Sequence, residues 1–331
     1  MNTCQMLKGA IDFGEIKSQR KSLNTQIAVK REIMIPRYPE DSVEIEKTIE
    51  ELQAKIPELD AILAKEPPPP ELPPRKPLIK VSGVLEEWEI LCVKGYFSDR
   101  EYDPEEFARR EENRQFGALL LAMLGNSSQA AVNLRTDVRL SEICHFVQGK
   151  INGIPFHGWL GLTTVKAGDY VELAVTDQGE YYVVYALTNP ERRTISITPC
   201  CNKGTRSKAW DEVFYTFCVF FYNHSYLSWC YLFFQEGAVF GIGPDLLTLC
   251  IMSVATVFSF YAYFVSIKKP WPSVKLAQDI FSVLGFPNPQ DVSLSKLTKK
   301  RIKEIRANLS PENSEEVLPD KLCILSHYYY Y

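Results

Sequence analysis

The side chains from which this 331-residue chain could build chemistry are four histidines, nine cysteines and a scatter of acids. The densest grouping is Cys144 and His145, then His157, then the adjacent Cys200 and Cys201. Such residues ligate zinc when they converge, but neighbours along a strand point to opposite faces. Only one of Cys144 and His145 can therefore face the same way as His157. None of the five has the spacing of a zinc site, so neither a metal nor a cofactor is expected. The chain holds no G-x-S-x-G elbow, no HExxH and no phosphate-cradling glycine loop, and no catalytic set is expected. Gly237, Gly241 and Gly243 follow no strand and read as a turn. The cysteines form neither a CxxC pair nor a regular framework, the pattern of reduced structural thiols.

One further polar group stands out by its setting. Asn223, His224 and Ser225 sit at the middle of an apolar run, Val213 to Phe234, and a second run follows from Leu246 to Ile267. Neither run contains Lys, Arg, Asp or Glu, and each is about as long as the ~20 residues that cross a bilayer as a helix. Between them lies QEGAVFGIGPD. The pattern predicts a transmembrane helical hairpin over 213–267. Polar groups at membrane depth are costly unless they meet water or a partner. Two readings of Asn223, His224 and Ser225 stay open: they line a polar path, or His224 bonds a hydroxyl of the facing helix such as Ser253 or Thr256.

Charge sets the orientation. Lys203, Arg206 and Lys208 precede the hairpin, Lys268, Lys269 and Lys275 follow it, and the connecting loop has neither Lys nor Arg. Positive flanks stay inside, which places both termini in the cytoplasm. Trp210, Trp229, Trp271, Tyr261 and Tyr263 fall where an interfacial aromatic belt belongs. The first residues lack the apolar segment of a secretory signal. Net charge is −4 with basic residues dispersed, which argues against nucleic acid as the main partner.

The elements around the hairpin follow from pattern. Residues 1–40 are weakly patterned and read as irregular. Residues 41–65 read as a helix with Ser42 as N-cap and a kink at Pro57. EPPPPELPPRKP, 66–77, reads as an extended polyproline linker. Residues 78–138 read as a β-hairpin, Leu78 to Phe97, then a charged helix opening at Pro104 and an apolar stretch, Phe116 to Leu134, broken near Gly125. Residues 139–200 carry five short strands with turns at Asn152-Gly153, Asp177-Gln178-Gly179 and Asn189-Pro190, the pattern of a small antiparallel β-barrel of OB or SH3 type. Trp159, Tyr170, Tyr182 and Tyr185 read there as packing residues. Residues 268–331 read as an amphipathic helix (273–284), a basic helix (295–308) and a disordered tail. The fold class expected is α+β membrane protein: a barrel module, a two-helix transmembrane hairpin and flanking helices.

The run FHGWLGLTTVKAGDYVELAV, then YYVVYALTNPERRTISITPCCNKG, the apolar pair, and LGFPNP at Leu284 to Pro289 resemble the type VI secretion system effectors among bacterial membrane proteins, the ExIF-like group. The resemblance covers roughly Leu78 to Lys296 and rests on the order of elements more than on any one motif. Cys200 stands where the family pattern has His before the cysteine of P-x-C-x-x-G. The resemblance implies an antibacterial protein that acts at the target's inner membrane and is neutralised by a cognate immunity protein. It supplies no catalytic residues. The expectation is a non-enzymatic effector that perturbs the bilayer as an oligomer. The alternative is a resident inner-membrane protein using its barrel and Pro-linked helix as a binding scaffold.

Overall fold

Residues 9–123, 141–233, 244–308 and 328–331 are described by the structure, a computed structural model. Its central strand departs from the expected hairpin. Ser82-Gly83 and Glu86-Glu87 interrupt the alternation of Leu78 to Phe97, yet the chain passes through both as a single 18-residue strand, β1 (Ile79–Tyr96). A bulge between Leu85 and Glu87 bends it. Gly83 permits close packing at the bend, where a Cβ would stand 2.5 Å from Asn152 Oδ1. One strand can then serve two partners. Its first half pairs with β4 (Tyr170–Asp177) and its second half with β2 (Ser141–Ile151), both antiparallel.

Asn152 (φ 52°) and Gly153 (φ 78°) make the two-residue turn from β2 into β3 (Ile154–Leu160). The left-handed pair is what that turn type needs, and Asn-Gly provides it. Strand β4 pairs with β5 (Tyr182–Asn189), and the first residues of β5 run parallel to β3, with Gly158 opposite Val184. That parallel contact closes the ring β1-β2-β3-β5-β4, a closed five-stranded barrel. The expected barrel is thus present, but it takes β1 from outside 139–200. The last strand predicted there, β6 (Thr194–Ile197), lies outside the ring on the second half of β5. Leu85, Val147, Ile151, Phe156, Leu173 and Leu187 fill the interior.

A second apolar layer covers the outer wall. Helix α8 (Pro272–Val283) and helix α9 (Leu294–Asn308) follow the apolar hairpin, and Ala277, Ile280, Phe281 and Leu294 pack against Tyr185, Ile195 and Ile197. Of the tail expected to be disordered, 309–327 lies outside the described residues, and 328–331 is ordered: Tyr328–Tyr330 forms β7 on the edge of β6, Tyr328 is buried, and Tyr331 packs on Phe286. The aromatic run has strand propensity and an open edge to pair with, which overrides the disorder its position suggests.

The amino-terminal segment is helical where irregular chain is expected. Helix α1 (Phe13–Val29) starts at Asp12, whose Oδ1 accepts the Glu15 N–H at 3.0 Å, and continues through a π turn (Lys30–Met34). Its sequence lacks an apolar stripe because few of its side chains are buried. The predicted helix over 41–65 is two helices, α2 (Ser42–Ala54) and α3 (Ile56–Leu63), divided just before Pro57. Ser42 is inside the helix and Asp41 holds the cap position. After β1, a short helix α4 (Asp99–Tyr102) leads into α5 (Pro104–Met123). The rest of the Phe116–Leu134 stretch lies outside the described residues.

Helix α6 (Thr205–Phe233) and helix α7 (Pro244–Lys268) pack against each other as the expected hairpin. Trp210 near the start of α6 meets Tyr263 near the end of α7, so the pair is antiparallel. Among the described residues, however, no helix is long and apolar enough to cross a membrane. In α6 the polar Asn223, His224 and Ser225 and several tyrosines dilute the apolar run. The side chains of 244–252 in α7 lie outside the described residues.

The root of the hairpin is tied to the segment that follows the LGFPNP loop. Gly204 N–H donates to Val292 O at 2.8 Å, Leu294 N–H to Asn202 O at 3.0 Å, and Arg206 pairs with Asp291 at 3.2 Å. A Cβ at Gly204 would stand 2.2 Å from Pro289 O, so the contact needs glycine. Gly285 (φ 80°) and Asn288 (φ 50°) turn that loop back toward the barrel.

Candidate functional site

The five candidate metal ligands do not converge. Cys144 sits on the outer wall with Sγ 3.5 Å from Val93 O, and burial pushes its thiol up to about 12. His145 faces the interior, where Nδ1 accepts the Thr163 N–H at 3.1 Å. His157 is opposite Gln148 on the ladder, while His145 is opposite Leu160. Cys200 is exposed in a left-handed conformation (φ 66°), with Sγ 3.7 Å from Glu142 Oε1. Cys201 is fully buried beside the Tyr102 hydroxyl at 3.3 Å, and burial raises its thiol pKa strongly. Among the described residues, no group of three or more His, Cys, Asp or Glu could hold a metal ion.

Asn223, His224 and Ser225 lie on the backbone of α6. Their side chains, and with them the polar path and the pairing of His224 to Ser253 or Thr256, fall outside the described residues.

The site the structure does assemble is on the outer wall of β1, β2 and β3. Alternation sends Glu89 and Leu91 outward from β1, Phe146 and Gln148 from β2, and His157 and Trp159 from β3. The register sets these in rungs, so that the aromatic side chains touch. Trp159 meets Phe97 at 6.0 Å and Phe146 at 5.6 Å edge-on, and His157 stacks on Tyr181 at 5.1 Å. Phe146 also lies 6.1 Å from His157, making the series continuous. Glu89 and Glu87 border it, bonded by Gln148 at 2.5 Å and Lys150 at 3.1 Å.

Across this wall lies the proline-rich stretch, which the sequence presents as a spacer. The Trp159 indole N–H donates to Pro68 O at 2.9 Å, and the Tyr185 hydroxyl to Glu71 O at 2.8 Å. Glu71 approaches His157 at 3.6 Å, and Lys76 Nζ donates to Asp177 O at 2.8 Å. Pro67 is buried, Pro68 and Pro69 are exposed, and Leu72 packs on the core. The stretch is a strap. It carries no helix and no ladder pairing, so side-chain donors serve the Pro68 and Glu71 carbonyls, while Pro70 O accepts the Leu72 N–H.

Open grooves of about 530 Å³ and about 660 Å³ lie along the same wall. Leu91 and Phe146 line the first, Phe156 and Tyr181 the second, and His157, Glu89 and Gln148 line both. The wall is suited to binding an extended segment: aromatic faces, two hydrogen-bond donors and an acidic border. Nothing in it pairs a nucleophile with a base. Sequence reasoning took Trp159 and Tyr185 as packing residues. The available signal was an alternating aromatic strand in a chain that also carries a polyproline run.

No protein-family model, curated protein or solved structure matches the chain.

Proposed function

We propose that the chain is a membrane-inserting protein acting without catalysis, with its helical hairpin embedded in a bacterial inner membrane and both termini in the cytoplasm. The observation that carries this reading is the surface of the hairpin. Phe214, Tyr215 and Tyr222 on α6 are 71, 71 and 75% exposed, and Val257, Tyr261 and Phe264 on α7 are 68, 67 and 58% exposed. No Lys, Arg, Asp or Glu occurs between Val213 and Phe234 or between Leu246 and Ile267. An apolar surface of this extent requires lipid or another apolar surface against it. Trp210 and Tyr263 meet at the end of the hairpin where the flanking lysines lie, and Trp271 follows α7 in sequence, as in an interfacial belt.

The resemblance supports the finer reading, an effector of a type VI secretion system that perturbs the target's inner membrane and is countered by an immunity protein. Two helices cannot enclose a pore, so copies self-associate, with Asn223, His224 and Ser225 facing the path they enclose. A second reading, a resident inner-membrane scaffold, is favoured by the strap-bearing wall of the barrel.

The test is membrane potential, read with a voltage-sensitive dye in bacteria expressing the chain with and without 213–267. Rapid depolarisation that depends on 213–267 is expected. An unchanged potential with the chain in the membrane fraction selects the scaffold. Recovery of the chain in the soluble fraction overturns insertion.

A further inference from the structure

We infer that the outer wall of β1, β2 and β3 is a recognition site for proline-rich segments, occupied in the resting chain by its own strap, and that its partner is a protein segment rich in proline and carrying a basic residue. A polyproline helix makes no internal hydrogen bonds, so its carbonyls are free to be recognised, and aromatic-lined grooves take its rings. The wall meets both requirements. Trp159 and Tyr185 donate to Pro68 O and Glu71 O, carbonyls three residues apart, and three residues make one turn of that helix. The donors come from β3 and β5, the two strands whose parallel contact closes the barrel, so their spacing is fixed by the fold.

The strap covers only part of the wall. Its extended run ends at Glu71, where the Leu72 N–H turns back to Pro70 O at 3.1 Å. Beside the strap the aromatic series continues through Phe146, His157 and Tyr181; the groove at Phe146 is bounded by Glu66, Pro67 and Pro68 of the strap itself, and the groove at Tyr181 has no strap residue in its lining. On the rim there Glu87 is paired with Lys150, while Glu89 accepts the neutral Gln148 amide and so keeps a negative charge that favours Lys or Arg on the partner. The strap itself pairs prolines with Arg75 and Lys76. Being tethered, it competes at millimolar effective concentration. A partner in trans must therefore displace it.

The experiment uses the full chain in detergent micelles and, as probe, a fluorescein-labelled peptide of sequence EPPPPELPPRKP. Fluorescence anisotropy compares the native chain with a variant in which 66–71 is replaced by Gly and Ser of equal length. The variant is expected to bind the peptide at least tenfold more tightly than the native chain. Trp159→Phe in the same background should weaken binding about fivefold, and an all-alanine replacement of the prolines in the peptide should not bind. Absence of saturable binding by a variant that melts cooperatively overturns the inference, as does unchanged affinity in the Trp159→Phe protein. Where the variant fails to melt cooperatively, the native chain decides. Excess peptide should speed tryptic cleavage after Lys65 severalfold, and an unchanged rate overturns the inference. These readouts hold whether or not the hairpin enters a bilayer, so their failure leaves the membrane reading standing.

Discussion

Gly158 sits where the backbones of β3 and β5 come close together in the barrel. A Cβ there would lie 2.2 Å from Val184 O, across the parallel contact that closes the ring, and neither strand can withdraw without opening it. Gly158→Ala is therefore expected to cost about 3 kcal/mol, the upper range for overpacking, and to lower the thermal midpoint of the barrel. Gly117 gives the contrast. Nothing lies within 4 Å of a Cβ built on it, and it stands inside helix α5. Gly117→Ala should leave the midpoint unchanged or raise it by the helix preference of up to about 1 kcal/mol. Equal midpoints for the two variants would remove the steric account of closure. The two glycines also mark what sequence discloses at this scale. Asn152-Gly153 was legible as a turn because the demand for positive φ is local. The need for glycine at 158 was hidden because it arises from a strand far along the chain. That only one of Cys144 and His145 could face with His157 was legible from strand alternation, whereas the donors Trp159 and Tyr185 needed the strap beside them to acquire a role.

At the scale of elements, α1 is held by polar contacts that leave little trace in the apolar pattern. Ile11 bridges Val93, and the Asp12 carboxylate caps the helix while pairing with Lys94 at 2.9 Å and accepting the Tyr96 hydroxyl at 3.2 Å. Burial pushes the Asp12 carboxyl up, but the Lys94 ammonium, the Glu15 N–H and the Tyr96 hydroxyl together outweigh it and hold it below the ordinary 3.8. The sign follows. A carboxyl depressed in the folded state stabilises that state above its unfolded value, and the contribution disappears as pH falls through the folded value. Docking of α1 on β1 should accordingly loosen below about pH 4. Hydrogen exchange of the Ile11 and Lys94 amides against pH reads it, since those amides bond across the bridge. In Asp12→Asn this step should vanish. Its persistence would assign it to other carboxyls. The helices over 41–65 were legible because their apolar residues recur at helical spacing, and β1 was misread because a bulge and a bend mimic a turn. Each error has one source: tertiary contacts supplied an energy that local pattern does not encode.

For the whole molecule the decisive quantity is how much apolar surface the hairpin leaves exposed after the barrel has packed its two cores. The root at Gly204 and the LGFPNP loop belong to the barrel side, with hydrogen bonds that do not depend on the distal helices. The two helices meet at their base, where the Trp210 and Tyr263 rings are 5.2 Å apart. Replacing 214–262 with a short Gly-Ser linker spans roughly the 8–10 Å between packed helix axes and should leave both barrel cores intact. The shortened chain is expected to be a monomer in aqueous buffer, by size exclusion with light scattering, and to melt as the barrel of the full chain does in detergent. The full chain without detergent should associate, because Phe214, Tyr215, Tyr222, Val257, Tyr261 and Phe264 leave a broad apolar surface exposed on α6 and α7. If the shortened chain associates as strongly, the driving surface lies on the barrel side and the hairpin loses its claim to a bilayer. If it fails to melt cooperatively, the hairpin is part of the fold's core, and its exposed aromatic residues must be explained by a protein partner in place of lipid.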